Sequence, residues 1–194
     1  MKDAQETLAD AIAAVLNAPF ISLYTFAYII AVLSPTNALL VFALTALFAT
    51  LLPMIMIYIM VKRGLLKDVY VYDRRNRFKP FLGATLCYFL GLVALLAVSA
   101  PLLVTVLMAG YLVNTIFMML ITLRWKISIH ASGIAGPATF LIYVFGIQFW
   151  WTLLLIIPVG WARLKLKAHT PAQIIVGFLL TVALTYALLS IFLR

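Results

Sequence analysis

The chain has two histidines, and each lies where an apolar run meets a basic one. His130 sits in Lys126-Ile-Ser128-Ile-His130-Ala-Ser132-Gly133, and His169 sits in Arg163-Leu-Lys165-Leu-Lys167-Ala-His169-Thr-Pro-Ala-Gln173. Imidazole exchanges protons and attacks electrophiles near neutral pH, which makes it the first side chain to consider for catalysis. An arginine nearby adds a planar fork of donors that fits phosphate oxygens. Together these residues point to chemistry on a phosphorylated lipid.

The elements that must position them are apolar and long. Of 194 residues 66% are hydrophobic and 10% charged, against about 45–50% and about 25% in a soluble domain. A helix needs about 20 apolar residues to cross the hydrocarbon layer. Four spans are predicted before residue 124: Phe20 to Leu33, Ala38 to Val61 with Pro53 as a kink, Phe81 to Ala100, and Leu102 to Leu123. The 31 residues from Ala131 to Trp161 are too many for one straight crossing, and Gly146-Ile-Gln148 is a natural turn within them. Thr170 to Leu193 is the last span. The expectation is an all-α, polytopic transmembrane bundle of six or seven helices, organised as one membrane domain over 1–194. Residues 1–17 carry Lys2, Asp3, Glu6 and Asp10 with apolar residues at Leu8, Ile12, Val15 and Leu16, the pattern of an interfacial helix.

The charges choose between six and seven. Lysines and arginines number 14, and apart from Lys2 and Arg194 they fall within 62–79, 124–126 and 163–167. A helical hairpin across 131–161 puts all three clusters on one membrane face, and the positive-inside bias makes that face cytoplasmic. A net charge of +9 would suggest nucleic acid in a soluble protein. In short loops between apolar spans it suggests anionic headgroups instead, so membrane lipids are the expected partners and nucleic acid is not. The five acidic residues are Asp3, Glu6, Asp10, Asp68 and Asp73. Too few cluster to hold magnesium through hard oxygen ligands, and no Cys/His group has zinc spacing. No metal and no cofactor are expected. Cys87, the single cysteine, reads as a small buried hydrophobe.

Three stretches carry a resemblance to a known family. Asp73-Arg74-Arg75-Asn-Arg77-Phe-Lys79-Pro80, Ile127-Ser128-Ile129-His130 and Ala162-Arg163-x5-His169-x3-Gln173 follow one another in order. They resemble the Lys-x6-Arg-Pro, Pro-Ser-Gly-His and Ser-Arg-x5-His-x3-Asp signatures of the type 2 phosphatidic acid phosphatase superfamily, whose site is related to that of vanadium haloperoxidases. The resemblance covers residues 73–177. It departs from the family at Lys79 for the arginine, Ile129 for the glycine, Ala162 for the serine and Gln173 for the aspartate.

The resemblance implies roles residue by residue. His169 would attack phosphorus and carry the phosphoryl group, Gln173 would orient its ring, and His130 would protonate the departing oxygen. Arg163, Ser128, Lys126, Arg75, Arg77, Lys79 and Arg74 would bind the phosphate. Amides near Ala131 and Ser132 would add donors if a helix starts there. Glutamine lacks the charge that stabilises an imidazolium, so slower chemistry than with aspartate is expected. The implied activity is a metal-independent phosphatase for a lipid phosphate or isoprenoid diphosphate, acting through a phosphohistidine. The same site could instead pass phosphate to an alcohol, or bind anionic lipid without turnover.

Overall fold

The computed structural model describes residues 3–193, so Met1, Lys2 and Arg194 lie outside the described residues. Helices run over Ala4–Val15 (α1), Ala18–Leu33 (α2), Ala38–Ala46 (α3), Leu52–Lys62 (α4), Phe78–Ala97 (α5) and Leu102–Thr122 (α6). Ile129–Phe145 (α7), Ile156–Lys165 (α8) and Pro171–Phe192 (α9) complete the set. A π turn over Leu47–Leu51 joins α3 to α4, and a 3-10 segment over Ile147–Leu155 leads into α8. No strand occurs among the described residues. Among the described residues, five helices are long and apolar enough to cross a membrane: Ala38–Lys62, Arg74–Ala97, Leu102–Thr122, Ile147–Lys165 and Pro171–Phe192. The pair α1 and α2, bent by 41°, makes a sixth only if the two form one broken span, and α7 is a shorter apolar helix.

The fold divides into two compact units, Met1–Ile21 with Lys126–Arg194, and Ser22–Trp125. In the second unit the irregularity expected at Pro53 is a π turn rather than a simple kink. Proline has no N–H, so Ala49 O loses the donor that an α-helix would supply from position 53. The Ser22 hydroxyl donates to Ala49 O at 3.5 Å and lies 3.2 Å from Thr50 Oγ1. In lipid, where no water can satisfy a freed carbonyl, such a replacement is needed.

The loop before α5 is held by its own cations. Val71 has φ +47°, an unusual conformation for a β-branched residue. Its carbonyl accepts from Arg77 Nε at 2.7 Å, and Arg77 is 3% exposed. Arg74 Nη1 donates to Thr122 O and Leu123 O. That places a cation on the last carbonyls of α6, where the helix dipole favours it.

In the first unit the 131–161 stretch is a helical hairpin. α7 ends at Gly146, whose φ of +104° suits a residue without a side chain. The 3-10 segment then folds back along α7 and continues into α8. Helix α7 also packs along α9, and small residues allow it. Lipid tails are as apolar as leucine, so helices in a bilayer gain mainly from close backbone approach and shared hydrogen bonds. Thr181 donates to Ser132 Oγ at 2.8 Å. A Cβ on Gly136 would come within 3.3 Å of Thr181, and one on Gly133 would strike Ala18 at 2.5 Å.

Helix α1 begins with a capping box, Asp3 accepting from Glu6 N and Glu6 reaching back to Asp3 N. It lies against α8 with Ala9 and Ala13 buried, and Leu8 and Val15 remain exposed.

Candidate functional site

The third stretch is shaped by the way α8 ends. Lys167 adopts φ +50° and its N–H donates to Leu164 O at 2.9 Å, while Ala168 N–H donates to Arg163 O at 2.9 Å. This pair of bonds is a Schellman turn with lysine in the left-handed position that glycine usually takes. It reverses the chain, and His169 N–H also reaches Arg163 O, at 3.3 Å. The arginine and the histidine of the motif are therefore tied through the backbone. Alternation within 163–167 then sorts the cations. Arg163 is 2% exposed and enclosed, while Lys167 is exposed. A guanidinium removed from water must be compensated by charge or acceptors.

Lys165 turns outward to α1, donating to Gln5 Oε1 at 2.7 Å and to Asp3 Oδ2 at 3.2 Å. The Glu6 backbone N–H, and after it Lys165, hold the Asp3 carboxyl below its usual range. Lys165 thus links the end of α8 to the start of α1.

Helix α9 starts immediately after the turn. Thr170 is its N-cap, Pro171 its first residue, and Gln173 closes a capping box with Thr170. Gln173 Oε1 accepts from Thr170 N–H at 3.3 Å and lies 3.0 Å from His169 Nδ1. A backbone N–H can only donate, so the oxygen of the amide must be the atom facing both groups. His169 Nδ1 then carries a proton, and in the neutral ring Nε2 carries the lone pair. His169 is 8% exposed.

The second stretch meets the third directly. Ser128 is fully buried and caps α7, its Oγ accepting from Ala131 N–H at 3.3 Å and its carbonyl from Ser132 N–H at 3.2 Å. The amides of Ala131 and Ser132, expected to face phosphate, are thus spent on the cap that starts the helix. Ser128 N–H donates to Gln173 O at 3.2 Å. His130, two residues on and 8% exposed, lies in the first turn of α7. The start of α7 thus lies beside the start of α9, and each brings the positive end of a helix dipole. Lys126, half-buried, precedes this segment.

A continuous chain of contacts therefore joins Arg163, His169, Gln173 and Ser128 within one unit. The first-stretch cations belong to the other unit. There Arg74 and Arg77 hold backbone carbonyls, while Arg75 and Lys79 are exposed. Two residues of the site escaped sequence reasoning. Thr170 carries a readable signal, since threonine three residues before glutamine at the start of an apolar run is a capping-box pattern. Gly177, where a Cβ would stand 2.8 Å from Ser128 O, carries none, because its importance depends on which segment α9 meets. Among the described residues no three of His, Cys, Asp and Glu gather closely enough to hold a metal ion. Comparison with family models, with curated proteins and with solved structures finds no match.

Proposed function

We propose that the chain is an integral-membrane phosphatase acting on a lipid phosphate or isoprenoid diphosphate through a phosphohistidine at His169, without a metal. One observation carries the reading. Gln173 holds the His169 ring through its side chain and the His130-bearing segment through its carbonyl, and Arg163 is enclosed at the other end of the same turn. Positioned imidazoles, a guanidinium and two helix N-termini are the parts that phosphoryl transfer requires, since catalysis there is mostly placement and charge compensation.

In this reading His169 Nε2 forms a bond to phosphorus as the P–O bond to the leaving group breaks. His130 gives its proton to the departing oxygen. Water then attacks phosphorus, His130 takes the water proton, and the N–P bond breaks to release phosphate. Arg163 stays on the equatorial oxygens throughout. The lipid tail remains among the exposed apolar side chains of the helices. Helix α7 is counted as a seventh crossing, which places the 126–130 and 163–170 segments together on the cytoplasmic face, and α1 lies on the membrane surface.

The test is phosphate release from phosphatidic acid and from a polyprenyl diphosphate, by detergent-purified protein in EDTA. Turnover is expected with the wild type and a loss of at least about 10³-fold with folded His169→Ala. An unchanged rate in that variant would remove His169 as nucleophile.

A further inference from the structure

A feature outside the three motifs bears on how they are held in register. Gly177 lies one turn after Gln173 on α9, buried against the segment that leads into α7. A Cβ built on it would stand 2.8 Å from Ser128 O, 3.3 Å from Ser128 N and 3.4 Å from an Ile127 side-chain carbon. The two closest atoms are backbone, so no rotamer change relieves the contact. Segment and helix would have to separate.

What separation would break is the Ser128 N–H bond to Gln173 O, which is already 3.2 Å long. That bond joins the two histidine-bearing stretches backbone to backbone. The His169–Gln173 contact is local to the start of α9 and would survive. His130 rides on Ser128, the cap of its helix, and would move with it.

We infer that Gly177 is a positioning residue for the histidine pair: its bare Cα seats Ile127–Ser128 on α9, so that Gln173 holds both histidine segments at once. The catalytic part of this inference rests on the phosphatase reading above; the seating itself does not. Bringing a 2.8 Å contact to an ordinary one of about 3.4 Å requires a shift of roughly 0.6 Å, and misplacement on the order of 1 Å costs about 10²-fold in rate.

Gly160 supplies the control. It is a glycine of the same unit, on α8, and a Cβ there would meet only an Ile174 methyl, at 3.8 Å. The experiment uses the full chain in detergent, uniformly labelled with 15N, and follows exchange of the Ser128 amide, the His130 ring resonances and turnover of phosphatidic acid. Gly177→Ala is expected to speed Ser128 exchange at least about tenfold and to shift His130. Its kcat should fall about 10- to 100-fold while KM changes less than about threefold. Gly160→Ala should match the wild type in all three. Retained Ser128 protection in Gly177→Ala, or equal effects at Gly160, would overturn the inference. Should Gly177→Ala not fold, the wild type still decides: a Ser128 amide exchanging as fast as an exposed loop sinks the clamp. If the wild type turns over no lipid phosphate, the phosphatase reading falls, and Ser128 exchange still judges Gly177.

Discussion

The amide at Gln173 is neutral, and that has a chemical consequence for the ring it holds. It fixes the Nδ1–H tautomer as a carboxylate would, because its oxygen already accepts from Thr170 N–H. It does not supply the negative charge that favours an imidazolium. Replacing it by aspartate should keep the cap and the tautomer and add that charge. A carboxylate within about 4–6 Å favours the protonated form of a neighbouring histidine. Unprotonated His169 is the proposed nucleophile, so in Gln173→Asp the acid limb of the kcat/KM profile should move to higher pH. Gln173→Leu removes the acceptor altogether and should cost about 10²-fold or more in kcat, with the limb unmoved in direction. A limb that stays put in the aspartate variant would mean that position 173 does not act through His169.

At the scale of elements, α1 raises a question of which contact holds it to α8. The Asp3–Lys165 pair is exposed, with side chains 57% and 28% accessible, and exposed ion pairs contribute little. Ala9 and Ala13 are 0% and 1% exposed at the helix contact, and enlarging a packed position costs about 1–3 kcal/mol. Packing should dominate. The folded Asp3 carboxyl titrates below the ordinary carboxylate range, so whatever the pair adds is present above the unfolded value and is lost as pH falls through the folded one. Spin labels at Ala11 and Leu164 would read the separation of the two helices. A narrow distance distribution is expected at pH 7, with slight broadening below about pH 3.8 and complete loss in Ala13→Leu at any pH. A larger effect from acid than from Ala13→Leu would reverse that ranking. The same comparison explains what sequence could reveal here. Apolar residues at helical spacing made the helix legible, whereas its partner, α8, starts far along the chain at Ile156 and left no local trace.

For the whole molecule, the apolar runs were readable because lipid imposes a length and a composition on every crossing. The boundaries of α3–α4, α6 and α9 fall within a few residues of the expected spans. The break at Gly146 was readable too, since a 31-residue run needs a turn. What the runs could not disclose is how backbone needs are shared out. Arg74 and Arg77 look like phosphate ligands in one dimension, and each also satisfies backbone carbonyls, at the end of α6 and at the left-handed Val71. Ala131 and Ser132 look like free donors until Ser128 is seen to use both. The remaining question is whether α7 crosses. Its 17 residues span about 25 Å at 1.5 Å each, against a core of about 30 Å, so a crossing requires local thinning or flanking polar residues that reach the interface. Lys126 at one end and Gln148 beyond the other are suited to that role. With Cys87 replaced by alanine, single cysteines at 126, 148 and 167 in sealed vesicles report the answer through a thiol reagent that cannot cross the bilayer. Positions 126 and 167 should react from the same side and 148 from the opposite one. Labelling of all three from one side would make α7 a re-entrant element. The histidine segments would still be joined through Gln173, but α7 and α8 would no longer count as crossings.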